Sequence, residues 1–205
     1  MRILGVDPGL DACGYGIIEI GEGSRVNGES RDTRTLTHPN TRILVLIEAG
    51  LIRTQKTESL PDRLVSITQQ LKAIIQEYAP DRIAVEDLYS YYKTPKPAIL
   101  MGHVRGVVLS TAAASGIPVE SYMPTQIKQS VVGRGHASKE QVARMVRMRL
   151  NLPENKVRAD VTDALAVALC HADRMANGKS QIANGLGSGT RKMPDPDLHL
   201  TQRRK

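Results

Sequence analysis

Phenylalanine and tryptophan are both missing from this 205-residue chain, and cysteine occurs only twice. Nowhere does an unbroken apolar run approach the roughly 20 residues that a membrane helix needs. Two cysteines cannot build a disulfide framework, and no C-x-x-C pair marks a zinc site, so Cys13 and Cys170 read as reduced thiols. The opening stretch has one basic residue, Arg2, and a short apolar run, Ile3 to Val6, too brief for the core of a secretory leader. With Phe and Trp absent, six tyrosines are the only large rings available for stacking. What remains is sufficient for a core: 40% of the residues are hydrophobic, which excludes wholesale disorder. The expectation is a cytoplasmic protein with one domain of ordinary size and a tail.

The net charge is +7, and it is unevenly placed. Residues 1–122 are close to neutral. Residues 123–158 carry Lys128, Arg134, Lys139, Arg144, Arg147, Arg149, Lys156 and Arg158 against only Glu140 and Glu154. A second basic excess falls in 177–205. A localised positive block favours an anionic partner.

Hydrophobic patterning predicts an α/β chain. Arg2 to Val6 reads as a buried strand stopped by Asp7-Pro8-Gly9, and Tyr15 to Ile20 as its hairpin partner. Residues 21–42 are polar and rich in Gly, Ser and Thr, a long insertion. Ile43 to Ile52 is strand-like, Pro61 to Tyr78 has helical spacing, and Arg82 to Glu86 is a fourth strand. A helix of small apolar residues over 96–115, a fifth strand at Val119–Tyr122 and helices from Pro124, Ser138 and Ala159 complete the plan. The expected organisation is a domain over 1–176 built on a mixed sheet, followed by a disordered basic tail over 177–205.

Four acids stand where catalytic acids tend to be assembled. Asp7 and Glu86 end strands, and Asp160 and Asp163 share one face at the start of the last helix. Carboxylates that meet at one place repel unless a hard divalent cation joins them, which suits Mg²⁺ or Mn²⁺. Each acid taken singly has a plainer explanation. Asp7 fits a turn, Glu86 a strand exit, and Asp160-Val161-Thr162-Asp163 a helix cap. Asp87, on the opposite side of the strand from Glu86, is expected to be solvated. His103, His136 and His171 read as structural or solvated rather than as ligands.

Taken in order, these residues resemble the RuvC family of Holliday-junction resolvases. The resemblance runs through Ile3 to Gly9 with Gly14-Tyr15-Gly16, then Leu60-Pro61-Asp62-Arg63-Leu64 and Ile83-Ala84-Val85-Glu86. It continues in Gly102-His103-Val104-Arg105-Gly106 and Gln126 to Gly133, and closes with Ala159 to Ala166. It implies a ribonuclease H-like fold with a five-stranded mixed sheet flanked by helices. It also implies a homodimer and metal-dependent paired nicking of two like-polarity strands in four-way junction DNA.

By the same resemblance Asp7, Glu86, Asp160 and Asp163 are the catalytic acids and the ligands of two Mg²⁺ ions, with Mn²⁺ as a substitute. Tyr89 is the ring that stacks on an unpaired base, and Lys128 and Lys139 contact phosphates. The helix over 96–115 is the dimer surface, and a branch-migration complex of RuvA-like and RuvB-like proteins is the expected partner. The insertion 21–42 and the tail 177–205 depart from the family pattern. Two other readings fit parts of this pattern: a ribonuclease H-like nuclease acting on structured RNA, and a junction-binding scaffold without catalysis. An actin-like ATPase shares the opening turn, but the chain has no G-x-x-x-x-G-K-[ST] and is short for paired domains.

Overall fold

The computed structural model describes residues 1–21, 43–88, 95–153 and 157–182. Tyr89, with Tyr91 and Tyr92, the insertion from residue 22 onward and residues 183–205 of the tail lie outside the described residues. The strands are β1 (Arg2–Asp7), β2 (Ala12–Gly21), β3 (Ile43–Arg53), β4 (Arg82–Glu86) and β5 (Val119–Tyr122). The helices are α1 (Leu60–Tyr78), α2 (Pro95–Ala114), α3 (Pro124–Val132), α4 (Lys139–Leu150) and α5 (Ala159–Ile182).

The five strands form one mixed sheet in the order β3-β2-β1-β4-β5. β1, β2 and β3 pair antiparallel, and β1, β4 and β5 pair parallel. Asp7-Pro8-Gly9 ends β1 because proline offers no ladder donor and glycine permits the turn. β2 then begins at Ala12, earlier than the apolar run starting at Tyr15 suggests, because Asp7 already pairs with Gly14.

Each face of the sheet carries its own core. Leu4, Val6, Ile17, Ile83 and Val85 meet Ile67, Leu71 and Ile75 of α1 and Val104, Val108 and Ala112 of α2. Ile3, Ile18 and Ala84 meet α5, with Ile127 and Val131 of α3 and Val142, Val146 and Leu150 of α4 outside it. Residues Pro97–Ala114 are, by length and composition, apolar enough to cross a membrane, at a mean hydropathy of 1.2. Counting unbroken apolar residues passes over this window because His103 and Arg105 interrupt it. In the fold its inner side packs on α1 and the sheet.

Helix ends follow local chemistry. Ser59 caps α1, accepting from the Asp62 amide, and α1 stops at Ala79 in a left-handed conformation before Pro80. Ser138 caps α4, with Gln141 reaching back to the Ser138 amide in a capping box. α5 starts at Ala159, which puts Asp160 inside the first turn rather than at the cap. At its other end α5 runs to Ile182, so helical backbone takes in the first six residues of the stretch expected as a disordered tail, 177–205. Propagating an existing helix costs far less than nucleating one, which lets it continue through Gly178.

Candidate active site

Strand alternation places the acids. Along β1, Ile3, Gly5 and Asp7 face α5, while Leu4 and Val6 face away. Along β4, Ala84 faces α5, and two residues on so does Glu86. Val6 is in register with Val85, so Asp7 and Glu86 leave neighbouring parallel strands side by side.

α5 brings the other two acids to the same end of the sheet because glycine lets it approach. A Cβ on Gly14 would lie 2.1 Å from the Asp160 carbonyl oxygen, and one on Gly5 would lie 2.2 Å from that of Ala164. Any side chain at either position would push away the helix that carries Asp160 and Asp163.

Glu86 and Asp163 line a cleft of about 150 Å³ together with Lys128 of α3 and Lys139 of α4. Its floor is Ile127, Val142 and Ala166. Asp7 and Asp160 are not in its lining, but the Asp7 charge acts on Lys139 there and the Asp160 charge acts on Asp7. Burial pushes the Asp7 carboxyl up to about 7, and Glu86, Asp163 and Asp160 repel it in the same direction, against the pull of Lys139. Glu86 is also raised, by burial and then by Asp163, with Lys139 and Lys128 opposing.

Lys139 Nζ lies 3.1 Å from Asp163 Oδ2, and that pairing raises the lysine. The cluster is therefore short of positive charge. Among the described residues, no group of three or more His, Cys, Asp or Glu side chains stands ready-arranged to hold a metal ion. The donor chemistry nevertheless fits a hard cation: the sheet end presents half-buried carboxylate oxygens whose mutual repulsion such an ion would relieve.

Side chains with no assigned role fix this arrangement. Arg63, almost fully buried, donates to Asp11 Oδ1 at 2.5 Å and to Thr54 Oγ1 at 2.8 Å, while Thr54 donates to the Leu10 carbonyl at 2.7 Å. Asp11 is held below the usual carboxylate range by Arg63 and Lys56. The turn after Asp7 is thus tied to α1 and to Thr54, which follows β3. Asp87 is not simply solvated as expected: Arg105 of α2 reaches its Oδ1 at 3.0 Å and also donates to Ser121 Oγ at 2.8 Å. That bond braces the exit of β4 immediately after Glu86. His171 is structural, accepting or donating at Nδ1 with the Tyr122 hydroxyl at 2.7 Å inside the fold. No periodic pattern announces these pairs, although Arg63 and Arg105 both sit inside the quoted motifs.

The family model for crossover junction endodeoxyribonuclease RuvC matches residues 3–171. The curated relative from Rhodopirellula baltica, so named, is 42% identical over 168 residues, covering 82% of this chain and 84% of its own. The one from Heliobacterium modesticaldum is 40% identical, covering 87% of this chain and 98% of its own. The Thermus thermophilus RuvC structure in complex with a Holliday junction substrate superposes with a TM-score of 0.72 at 31% identity, over 87% of this chain and 96% of that one. The yeast mitochondrial Holliday junction resolvase shares the fold alone, with a TM-score of 0.59 at 14% identity. The fold is the ribonuclease H-like one that the sequence resemblance implied.

Proposed function

This chain belongs to the RuvC family of crossover junction endodeoxyribonucleases, and from that membership we propose that the end of its sheet is a metal-dependent active site for resolving Holliday junctions. The enzyme is an endonuclease of DNA recombination and repair. The observation that carries the site assignment is one juxtaposition. Glu86 and Asp163 share a cleft with Lys128 and Lys139, and Asp7 feels Glu86, Asp163, Lys139 and Asp160.

Asp7, Glu86, Asp160 and Asp163 would hold the cation, with two Mg²⁺ ions as the expected complement and Mn²⁺ as a substitute. When bound, the ions supply polarisation of the scissile phosphate and stabilise charge on the attacking and leaving oxygens. The protein's own part is to bind and orient. Lys128 and Lys139 grip phosphates on the wall opposite β1 and β4, and the buried seam of Ile127 and Val142 limits water behind the cleft. Tyr89 would stack on a base unpaired at the crossover, worth roughly 1–3 kcal/mol. The outer side of α2, where His103, Gly106, Ser110 and Ala113 are exposed, is the proposed homodimer face. Two copies of the site on a two-fold axis suit a substrate with near two-fold symmetry. The expected setting is the cytoplasm, alongside a branch-migration complex of RuvA-like and RuvB-like proteins.

The test is nicking of a synthetic four-way DNA junction in Mg²⁺, with product ends mapped. Paired nicks leaving 5′-phosphate and 3′-hydroxyl ends are expected. Asp7→Asn should lower the nicking rate at least ~1,000-fold, since each 1.36 kcal/mol is a factor of ten, while junction affinity stays within about three-fold. Normal nicking by that variant would refute the assignment. Preferential cleavage of a hairpin RNA would favour the RNA-nuclease reading, and binding without cleavage in either metal would favour the scaffold.

A further inference from the structure

α4 and α5 run side by side in the same direction, tied by two ionic rungs. Lys139 pairs with Asp163 at one end, and Arg149 pairs with Asp173 at the other. The two rungs are ten residues apart on both helices, about 15 Å at 1.5 Å per residue. They differ in kind. The Lys139 side chain is 77% exposed and makes a single contact at 3.1 Å. Arg149 and Asp173 are only 24% and 28% exposed, and the guanidinium meets both carboxylate oxygens, at 2.8 and 2.6 Å. Ser130 of α3 adds a third bond to Asp173 Oδ2 at 2.7 Å.

The Lys139–Asp163 rung joins a proposed phosphate contact to a proposed metal ligand, so it has to open when either meets its own partner. Between the rungs the helices touch through Val142, Val146 and the small side chains of α5, an aliphatic packing. A bidentate charged pair is directional and holds one register.

We propose that Asp173 is a positioning residue: through Arg149 it keeps α4 in register so that Lys139 stays over the cleft once its contact with Asp163 is released. The inference deepens the proposed function and rests on Lys139 acting as a phosphate contact. Asp173 touches neither substrate nor cation. Its proposed role runs through Arg149 of α4, apart from its bond to Ser130 of α3.

The test is junction binding by the full chain in metal-free buffer, measured over a range of salt, for Lys139→Ala, Asp173→Asn and the double variant. Asn at 173 keeps an oxygen for Ser130 and loses the charge that grips Arg149. Asp173→Asn should weaken binding about ten-fold and lower the slope of log affinity against log salt by about one, as Lys139→Ala does. Adding Lys139→Ala to it should cost less than about two-fold more, because the two changes remove the same contact. Asp173→Glu, which retains the charge, should recover most of the affinity.

If Asp173→Asn is too unstable to assay, Arg149→Gln breaks the rung from the other helix and should give the same salt slope. A lower melting temperature with an unchanged slope would overturn the proposal, leaving Asp173 a structural residue only. So would additive losses in the double variant. If Lys139→Ala itself leaves affinity and slope unchanged, the phosphate role falls and this proposal falls with it. A loss with Lys139→Ala but none with Asp173→Asn defeats the positioning role alone.

Discussion

The two faces of the sheet are built from different residues for different ends. On the α1/α2 face, Leu4, Val6, Ile17, Ile83 and Val85 present branched side chains to Ile67, Leu71 and Val104, an ordinary aliphatic core. On the α5 face the corresponding positions include Gly5, Gly14, Gly16 and Ala84, and α5 answers with Ala164 and Ala168. One face is filled by volume, the other by closeness. Closeness on that side lets a helix bring Asp160 and Asp163 down to strand ends that carry Asp7 and Glu86. The face that gives up bulk is the one that assembles charge.

Mutations on the two faces should therefore differ sharply. Gly5→Val sets a Cβ 2.2 Å from a backbone oxygen that cannot rotate away, so α5 must shift. The expected cost exceeds about 4 kcal/mol, a large share of the roughly 5–15 kcal/mol by which domains are folded. Ile83→Val on the opposite face removes one methyl from a fully buried side chain and should cost about 0.5–1.5 kcal/mol. Urea unfolding of both variants measures the contrast, and equal costs would erase it.

The next effect belongs to the charge. The Asp7 carboxyl titrates at about 7 in the fold, against an ordinary value of 3.8. Protonated acid is thus favoured by folding. The stability it allows is complete below about pH 4 and is lost as pH rises towards 7. In metal-free buffer Asp7→Asn should be more stable than the parent at pH 8, by up to about 4 kcal/mol at 1.36 kcal/mol per pH unit. The two should converge near pH 4. Chemical unfolding at both pH values checks this, and identical midpoints at pH 8 would contradict it.

The smallest effect lies on the basic wall. Lys128→Ala should weaken junction binding about five- to ten-fold and reduce the salt slope by about one, without changing stability by more than about 0.5 kcal/mol. An unchanged binding curve would remove Lys128 from the interface.

Much of this was legible in the residues themselves. Asp7 and Glu86 could be read as the ends of apolar strands, and α5's own spacing paired Asp160 with Asp163, whereas the shared side of Asp7 and Glu86 needs the β1–β4 register. Gly14 and Gly16 were visible only as letters of a motif; their reason, the approach of Asp160 and Leu165, needs the helix in place. Long-range pairs left no local trace. Arg63 and Asp11 are 52 residues apart and Ser130 and Asp173 43 apart, and neither pair follows a helical or strand period. Asp87 looked like a solvated neighbour of Glu86 because a single strand does not show which helix will cover its other face. The C-terminal extent of α5 was missed because Asn177-Gly178 reads as a stop, whereas a helix already nucleated and packed runs on to Ile182.

We propose that Asp7, Glu86, Asp160 and Asp163, gathered at one sheet end, need a cation to hold them together. Thermal unfolding at pH 8, with and without millimolar Mg²⁺ or Mn²⁺, tests it without any DNA present. The parent should gain several degrees with either ion, by preferential binding to the folded state, and Asp7→Asn and Asp163→Asn should gain little. A parent protein whose melting temperature ignores both ions, or variants that gain as much as the parent, would contradict it.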